Sequence, residues 1–255
     1  MINWPNIKIQ LIDFLKSEVE KSGLEKVTVG LSGGLDSAVV AVLCKEVFGD
    51  KLNCVLMPSQ FSSQSSTDHA VELCEKFNIK YEIISIAPMV ESFINNMDED
   101  KLRIGNFSAR MRMSVLYDVS SREKSLVVGT SNKSELLLGY GTIFGDIACA
   151  INPIGQMYKS DEFEFAKHLG VVDSILTKAP SADLWEDQTD EDELGYSYKQ
   201  MDDALKLLVD EKKSKEELIS TGFEKKLVDM LDYRMKSNAF KGKLPTIANI
   251  NWSLK

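Results

Sequence analysis

The segment from residue 30 to residue 37 has the composition of a phosphate-binding loop. It reads Gly30, Leu31, Ser32, Gly33, Gly34, Leu35, Asp36 and Ser37. Glycines let the backbone approach an anion without a Cβ in the way, and serine hydroxyls and the N–H groups of a helix start can donate to phosphate oxygens. The segment has neither the G-K-[ST] of a Walker A loop nor the G-x-G-x-x-G of a Rossmann loop. It therefore predicts a pyrophosphate cradle of another type.

The carboxylate of Asp36 is the unusual member of this segment. Beside a phosphate cradle, a carboxylate would repel the ligand unless a divalent cation lay between them. Asp36 therefore predicts a Mg²⁺ ion that bridges the carboxylate and the phosphates. The alternative is a glycine-rich turn that is merely capped by serine and aspartate.

The apolar pattern of the first half of the chain predicts strands that alternate with helices. Strands are predicted at residues 26–31, 52–58, 80–86 and 125–130, and helices at 6–20, 37–48, 67–77 and 132–138. This alternation predicts an α/β fold with a doubly wound, mainly parallel sheet flanked by helices. Ligands of such sheets bind outside the carboxyl ends of the strands, where the loop at 30–37 and the turn at 130–135 both fall.

The second half of the chain has a different pattern. An acidic stretch at residues 181–195 is followed by amphipathic helical patterns at 196–209, 214–220 and 223–237. The stretch is expected to be a solvated loop, which is compatible with a lid over the site, and a helical C-terminal part should follow. One domain over residues 1–255 is expected, because a chain with 44% hydrophobic residues at this length can bury one sizeable core.

Composition disfavours several classes of protein. A net charge of -9 opposes a nucleic-acid surface, and no apolar stretch is long enough for a signal peptide or a membrane span. The 4 cysteines have neither zinc-site nor disulfide-framework spacing, and reduced thiols are expected. We therefore expect a soluble, cytoplasmic protein with no nucleic-acid or membrane partner.

The motif S-G-G-x-D-S at residues 32–37 resembles the signature of the N-type ATP pyrophosphatases. These enzymes cleave ATP to AMP and pyrophosphate while they activate a carbonyl or carboxylate group. GMP synthetases, asparagine and argininosuccinate synthetases and tRNA-thiolating enzymes share the motif. The motif alone therefore implies the superfamily and its adenine nucleotide alpha hydrolase-like fold.

Several later segments resemble one family within this group, the NAD synthetases, in the order that the family has them. They lie at residues 105–113, 129–135, 139–142, 145–146, 178–184, 188–191 and 241–245. The resemblance implies ATP-dependent amidation of deamido-NAD with ammonia, through an acyl adenylate. Some members carry a glutamine-hydrolysing domain, for which this chain has no room. It therefore resembles the ammonia-dependent, homodimeric kind.

The resemblance also implies roles for individual residues. Asp36 and Glu135 would hold Mg²⁺, and Lys159 would hold the ATP phosphates or the departing pyrophosphate. Thr130 and Ser181 would donate hydrogen bonds to ATP. Positive charge is needed here because the nicotinate carboxylate and the α-phosphate are both anions.

Three further residues are assigned to the second substrate and to ammonia. Arg110 and Lys241 align with positions that contact deamido-NAD, whose own pyrophosphate suits cationic partners. Asp146 is the candidate for binding ammonium and assisting its deprotonation, although an aspartate in such a turn can also be a backbone cap.

The chain departs from the family pattern in places, and two alternatives remain. Ala150 stands where many members have an acidic residue, and Phe240 and Gly242 flank Lys241 where many have a His-Lys-Arg cluster. These changes leave the loop and the metal pair untouched, but they put the dinucleotide contacts in doubt. The alternatives are another N-type pyrophosphatase and a regulatory protein that binds ATP without cleaving it.

Overall fold

The computed structural model describes residues 2–95, 100–181, 189–250 and 252. Within these residues, one sheet contains β1 (Lys26–Gly30), β2 (Leu52–Leu56), β3 (Tyr81–Ile83) and β4 (Ser125–Val128). The strand order is β3-β2-β1-β4, and all the pairs are parallel. The predicted α/β fold with a parallel sheet is confirmed.

Helices before, between and after the strands make up most of the remaining structure. In the first half they are α1 (Trp4–Lys21), α2 (Leu35–Phe48), α3 (Gln64–Phe77), α4 (Ala87–Ile94), α5 (Lys101–Glu123) and α6 (Lys133–Leu138). In the second half they are α7 (Lys159–Leu169), α8 (Asp173–Leu176), α9 (Asp190–Leu194), α10 (Tyr198–Leu205), α11 (Lys215–Ser220) and α12 (Lys225–Asn238). A 3₁₀ turn (Gly49–Lys51) follows α2, and a π-helical turn (Lys206–Asp210) extends α10.

Hydrophobic clusters cover both faces of the sheet. Cys54 and Leu56 of β2 belong to a cluster with α1, α2, α3 and α7, whereas Val55 and Met57 belong to a second cluster with α4 and α5. Successive residues of a strand point to opposite faces, so these clusters lie on opposite sides of the sheet. The sheet is therefore doubly wound, as the sequence predicted.

The strand order fixes where a ligand can enter. From β1 the chain moves outward to β2 and β3 and then returns to the other side of β1 as β4. Val29 of β1 pairs with Val128 of β4, so the carboxyl ends of these strands lie side by side. The direction of winding reverses there, which opens a crevice between the segments that follow β1 and β4.

The third strand is shorter than the predicted range of 80–86. Beyond Ile83, Ile84 and Ile86 still donate hydrogen bonds to the carbonyl oxygens of Leu56 and Pro58. Proline has no N–H with which to return a bond, so regular pairing ends near Pro58.

The acidic stretch at 181–195 is only partly a loop. Residues 182–188 lie outside the described residues, but Asp190–Leu194 forms α9, capped by the Thr189 side chain. Helices α10, α11 and α12 follow, and they pack in a separate cluster that includes Leu138 of α6 and Tyr158, which precedes α7. This C-terminal part therefore packs against the end of α6 and the start of α7, two helices that carry predicted site residues. No helix among the described residues has the length and apolar character needed to cross a membrane.

Candidate active site

A cavity of about 1100 Å³ opens at the carboxyl ends of β1 and β4. Most of the residues predicted to bind ATP, metal, ammonium or dinucleotide line it. These are Gly30, Leu31, Ser32, Gly34, Leu35, Asp36, Ser37, Thr130, Glu135, Asp146, Lys159, Ser181 and Lys241. Gly33 and Arg110 are absent from the described residues that line the cavity.

The loop after β1 is held by its own serines. The Ser37 hydroxyl donates to the Gly34 carbonyl oxygen at 3.1 Å and accepts from the Ser32 N–H at 3.2 Å. Helix α2 begins at Leu35, and its N-cap residue, Gly34, has no side chain to cap the first N–H groups. The loop thus presents a helix start to the cavity, where an anion is favoured.

Gly33, a residue of this loop, packs against the start of α3. Its φ is +78°, and a Cβ added there would come within 2.0 Å of the Ser66 carbonyl oxygen at the start of α3. Both features require glycine. Gly33 therefore serves the cradle by close packing against α3 rather than by facing the cavity.

Asp36 and Lys159 form a buried ion pair although 123 positions separate them in the chain. Asn132, the N-cap of α6, also donates to the Asp36 carboxylate at 2.6 Å. Burial alone would raise the pKa of Asp36, but the Lys159 ammonium and these hydrogen bonds hold it below its usual value. Asp36 is therefore a carboxylate that carries its charge inside the cavity wall.

Glu135 and Glu162 add two more carboxyl groups around Lys159. Burial and the nearby Asp36 charge raise the pKa of both. One Glu135 oxygen accepts from the Asn132 N–H at 3.1 Å in a capping box, and a Glu162 oxygen lies 3.7 Å from the Lys159 ammonium. Burial would lower the pKa of Lys159, yet Asp36, Glu162 and Glu135 together keep it above its usual value. Lys159 is thus a fixed positive charge.

Asp36 and Glu135 suit a divalent cation only if a bound ligand completes its coordination. After burial, the Asp36 charge is the next largest cause that raises the pKa of Glu135, so the two carboxyl groups lie close enough to act on one another. In the part of the chain that the structure describes, no group of three or more His, Cys, Asp or Glu side chains could hold a metal by itself. A pair of carboxylates that shares its ion with phosphate oxygens is the usual arrangement for Mg²⁺, and the donor chemistry here fits it.

Asp146 and Lys241 both form hydrogen bonds with the backbone of the turn after α6. The Asp146 carboxylate accepts from the Thr142 N–H at 2.6 Å, and the Lys241 ammonium donates to the Gly139 and Gly141 carbonyl oxygens at 2.8 and 3.0 Å. Asp146 keeps an exposed surface at the cavity, yet desolvation of its carboxyl group raises its pKa. The bond to Thr142 means that Asp146 does cap the turn. A second oxygen and a raised pKa are also what a proton acceptor needs.

Helix α5 presents Arg112, rather than Arg110, to the cavity. The Arg112 guanidinium donates to the Met57 carbonyl oxygen at 3.0 Å and to the Ser62 hydroxyl at 3.1 Å. Arg110 is half-buried on another side of the helix, and Tyr117, two turns later on the same stripe, is 41% exposed. The structure therefore does not bring Arg110 together with the other predicted site residues of this chain.

Two tyrosines connect the cavity to the end of the acidic stretch. The Tyr140 and Tyr198 hydroxyls each donate to Asp190 at 3.1 Å, and Tyr140 also donates to Glu193 at 2.8 Å. All four residues line the cavity. Together with Asn132, Glu162 and Arg112, they are site residues that sequence reasoning did not single out. Arg112, Asn132, Tyr140 and Asp190 lie in segments that resemble the family, but they were given no role of their own; Asn132 also carried the signal of an N-cap type three residues before Glu135.

The sequence and the fold are similar to proteins of known activity. A model of the NAD synthase family matches residues 7–245. The NH3-dependent NAD+ synthetase of Wolinella succinogenes is 52% identical over 246 residues, which cover 96% of each chain.

Two solved structures have closely similar folds. The NH3-dependent NAD synthetase of Campylobacter jejuni is 41% identical with a TM-score of 0.83, over 97% of this chain and 100% of that one. The NMN synthetase of Francisella tularensis is 32% identical with a TM-score of 0.87, over 98% of this chain and 100% of that one.

Proposed function

Since the chain belongs to the NAD synthase family, we propose that it is a ligase that amidates deamido-NAD with ammonia at the expense of ATP. The products are NAD, AMP and pyrophosphate. The observation that carries this proposal is the similarity to NH3-dependent NAD+ synthetases over nearly the whole chain, together with one cavity lined by the phosphate loop, Glu135 and Lys159.

The first step joins the nicotinate carboxylate of deamido-NAD to the α-phosphorus of ATP. A carboxylate oxygen forms the new P–O bond, and the bond to the β-phosphate bridging oxygen breaks and releases pyrophosphate. The loop at 30–37, Thr130 and Ser181 bind the ATP, and Lys159 neutralises the charge that develops on the departing pyrophosphate. A preorganised cation in a buried site stabilises such a charge without reorganisation.

A Mg²⁺ ion bound by Asp36 and Glu135 would neutralise the ATP phosphates and draw electron density from the α-phosphorus. Asp36 must then share its charge between this ion and Lys159, which it already contacts. Asn132 would hold the Asp36 side chain in place, because its amide donates to one carboxylate oxygen while Lys159 contacts the other.

The second step replaces the adenylate with ammonia. The nitrogen attacks the acyl carbon, the C–O bond to AMP breaks, and the proton that came from ammonium must reach an acceptor. Asp146 is that acceptor in our proposal, because its carboxylate lines the cavity. Its pKa is raised, and so lies closer to neutral pH than the pKa of an ordinary aspartate, which makes it a better proton acceptor.

The dinucleotide is proposed to contact Lys241 in the cavity and Arg110 from a second copy of the chain. Arg110 does not line its own cavity, whereas α4 and α5 expose Met89, Phe93 and Tyr117, which is a typical composition for the core of an interface. A homodimer through these helices would bury the apolar side chains and carry Arg110 toward the partner.

We also propose a cytoplasmic location. The 4 cysteines are all free, and burial raises the pKa of the Cys44 and Cys54 thiols, which keeps them inert. Free thiols are typical of a reducing compartment.

A second candidate product is NMN, which a shorter nicotinate nucleotide would give by the same two steps. The similarity to the Francisella NMN synthetase, with a TM-score of 0.87, is the reason to consider NMN as a product. The shared chemistry would use the phosphate loop, Lys159 and Asp146 in the same way.

The test is a product analysis of the purified protein with ATP, Mg²⁺ and ammonium, and with either deamido-NAD or nicotinate mononucleotide. We expect AMP, pyrophosphate and NAD in equal amounts, with a higher kcat/KM for the dinucleotide. A higher kcat/KM for the mononucleotide would assign the second product. ATP binding without AMP formation from either substrate would contradict a ligase.

A further inference from the structure

Asp202 is a buried carboxylate that the reaction does not use directly. It lies on α10 in the C-terminal part, is 0% exposed, and is absent from the described residues that line the cavity. Both of its oxygens accept short hydrogen bonds. The Ser134 hydroxyl donates to one at 2.6 Å, and the Ser160 N–H donates to the other at 2.8 Å.

The two donors are the chain neighbours of proposed site residues. Ser134 directly precedes Glu135 on α6, and Ser160 directly follows Lys159 on α7. The Ser134 hydroxyl also accepts from the Lys159 N–H at 3.1 Å. Asp202, Ser134 and the first two N–H groups of α7 therefore form one connected group that links three helices.

Helix α7 depends on this group for its start. Its N-cap residue, Tyr158, makes no side-chain cap. The N–H groups of a first helical turn need partners from outside the helix, and a negative charge is favoured there. Asp202 and Ser134 supply them from other elements. The position of the Lys159 backbone is thus set by α10 and α6 as well as by its own helix.

We propose that Asp202 is a positioning residue that fixes the starts of α6 and α7 against each other, and so sets the spacing between Glu135 and Lys159. This inference rests on the roles given to Glu135 and Lys159 in the proposed function. It assigns the C-terminal helices a part in adenylation, because α10 carries the carboxylate that joins the two halves of the ATP site. The buried Met201 and Leu205, on the same helix, anchor α10 in the C-terminal cluster.

The test compares Asp202→Ala and Asp202→Asn with Asp203→Asn. Asp203 is the matched control, since it is the next residue of α10 but is exposed and forms a surface ion pair with Lys199. The rates are measured per folded protein, at a temperature well below the unfolding midpoint of every variant. We expect kcat to fall on the order of 100-fold in Asp202→Ala, because a displacement of about 1 Å in a catalytic group can cost that much. Asp202→Asn, which keeps one acceptor, should lose less, and Asp203→Asn should stay within about twofold of the parent.

A second readout separates positioning from a loss of stability. ATP affinity is measured by calorimetry without deamido-NAD, in Mg²⁺ and in EDTA. In the parent protein, Mg²⁺ should tighten ATP binding. In Asp202→Ala this gain should shrink, because Glu135 and Lys159 no longer face the same phosphates. A purely structural role would lower the unfolding midpoint and leave both the gain and kcat unchanged.

The outcomes distinguish this inference from the proposed function. Failure of the parent protein to make NAD or NMN would remove the proposed function and the inference with it. A parent that makes NAD, with Asp202→Ala within threefold of its kcat and an unchanged Mg²⁺ gain, would overturn the inference alone. If Asp202→Ala does not fold, Asp202→Asn decides: equality with Asp203→Asn in kcat and in the Mg²⁺ gain would overturn it.

Discussion

At the scale of single residues, the site is built around one lysine and the carboxyl groups that compete for it. Lys159 is 5% exposed and contacts Asp36 and Glu162. An unpaired ammonium would be costly at this depth, so the acidic side chains are a requirement of its burial as well as of the chemistry. When ATP and Mg²⁺ bind, they would replace some of the contacts that Lys159 and these carboxyl groups already make with one another.

Replacement of Asp36 by Asn should remove adenylation without unfolding the protein. The amide keeps the shape but cannot neutralise Mg²⁺ or Lys159, while Glu162 and Glu135 remain near the lysine. We expect the rate of pyrophosphate release to fall on the order of 1,000-fold. Asp50→Asn, at an exposed surface pair with Lys45, is the control and should leave the rate unchanged. Near-normal turnover of Asp36→Asn in saturating Mg²⁺ would contradict the metal assignment.

Replacement of Asp146 by Asn should separate the two steps. The amide cannot accept a proton from ammonium, but residue 146 belongs to the turn after α6 and not to the loop at 30–37, so the variant should permit adenylation. We expect the first-turnover burst of pyrophosphate to persist while NAD formation falls by about 100-fold or more. Rapid-quench measurements of both products check this. Equal losses in the burst and in NAD formation would place Asp146 in ATP binding instead.

The pH dependence of amidation should reflect the same carboxylate. Only the ionised form of Asp146 accepts a proton, and desolvation of its carboxyl group at the cavity raises its pKa. The rate should therefore fall as the pH drops through this raised pKa, at a pH above the value of about 4 that is usual for aspartate. The acid limb of NAD formation should be lost in Asp146→Asn. Persistence of the limb in that variant would assign it to another group.

Sequence reasoning found the chemistry of single residues better than their partners. The glycines, serines and Asp36 of the loop were recognisable because neighbours in sequence share one turn. The pairing of Asp36 with Lys159 depends on how α7 packs against α2. Arg110 and Arg112 differ by 200° around a helix, at about 100° per residue, and the pattern of α5 alone did not indicate which one faces the cavity.

At the scale of elements, the cradle depends on the approach of the β1–α2 loop to α3. Gly33 allows this approach because it combines a positive φ with the absence of a Cβ. The loop after β1, the start of α3 and the turn after β4 lie at the same edge of the sheet. The start of α3 therefore helps to position the loop after β1.

Gly33→Ala should weaken ATP binding strongly, whereas Gly170→Ala should not. The two glycines have similar φ values, +78° and +75°, but an added Cβ meets the Ser66 carbonyl oxygen at Gly33 and nothing within 4 Å at Gly170. The strain of a positive φ should cost both variants about 1 kcal/mol of unfolding free energy. Gly33→Ala should lose more stability and on the order of 100-fold in ATP affinity, because the backbone must shift. Calorimetry and denaturant titration measure the two effects. Equal ATP affinity in both variants would contradict the close-approach argument.

Element boundaries followed from the sequence where the apolar pattern was regular. Strands β1, β2 and β4 were confirmed because burial on both faces leaves a short continuous apolar run, and the C-terminal helices were confirmed because burial on one face leaves a helical period. The short β3 was overestimated, because the length of its ladder depends on Pro58, which follows β2 elsewhere in the sequence. The helix α9 within the acidic stretch was missed, since its charged residues favour solvent and only the Thr189 cap and Leu194 indicate a helix.

At the scale of the whole molecule, α4 and α5 carry the exposed apolar side chains through which we propose that two copies of the chain associate. Phe93 of α4 stacks on Phe107 of α5 with 3.8 Å between the ring centroids, and Phe93 is still 38% exposed. Met89 is 42% exposed and Tyr117 is 41% exposed. In the proposed dimer these side chains would be covered. Arg110 would then contact the dinucleotide that is bound in the partner's cavity.

A charge at this surface should separate the dimer. Light scattering should give twice the chain mass of 28.5 kDa for the parent and 28.5 kDa for Tyr117→Glu at low concentration. Tyr233→Glu on α12, where the tyrosine is 72% exposed, is the control and should stay dimeric. Monomeric Tyr117→Glu should also have a raised KM for deamido-NAD with little change in KM for ATP. A monomeric parent with full activity would remove the proposed role of Arg110 in a partner's site.

In the proposed reaction, the substrate carboxylate attacks the α-phosphorus of ATP within the cavity. Deamido-NAD labelled with ¹⁸O in both carboxylate oxygens tests it directly, with mass spectrometry of every product after complete turnover. The account predicts one ¹⁸O in each AMP, one in each NAD, and none in pyrophosphate. Unlabelled AMP, or label in inorganic phosphate together with ADP, would contradict it, because the carboxylate would then have been activated at another phosphorus.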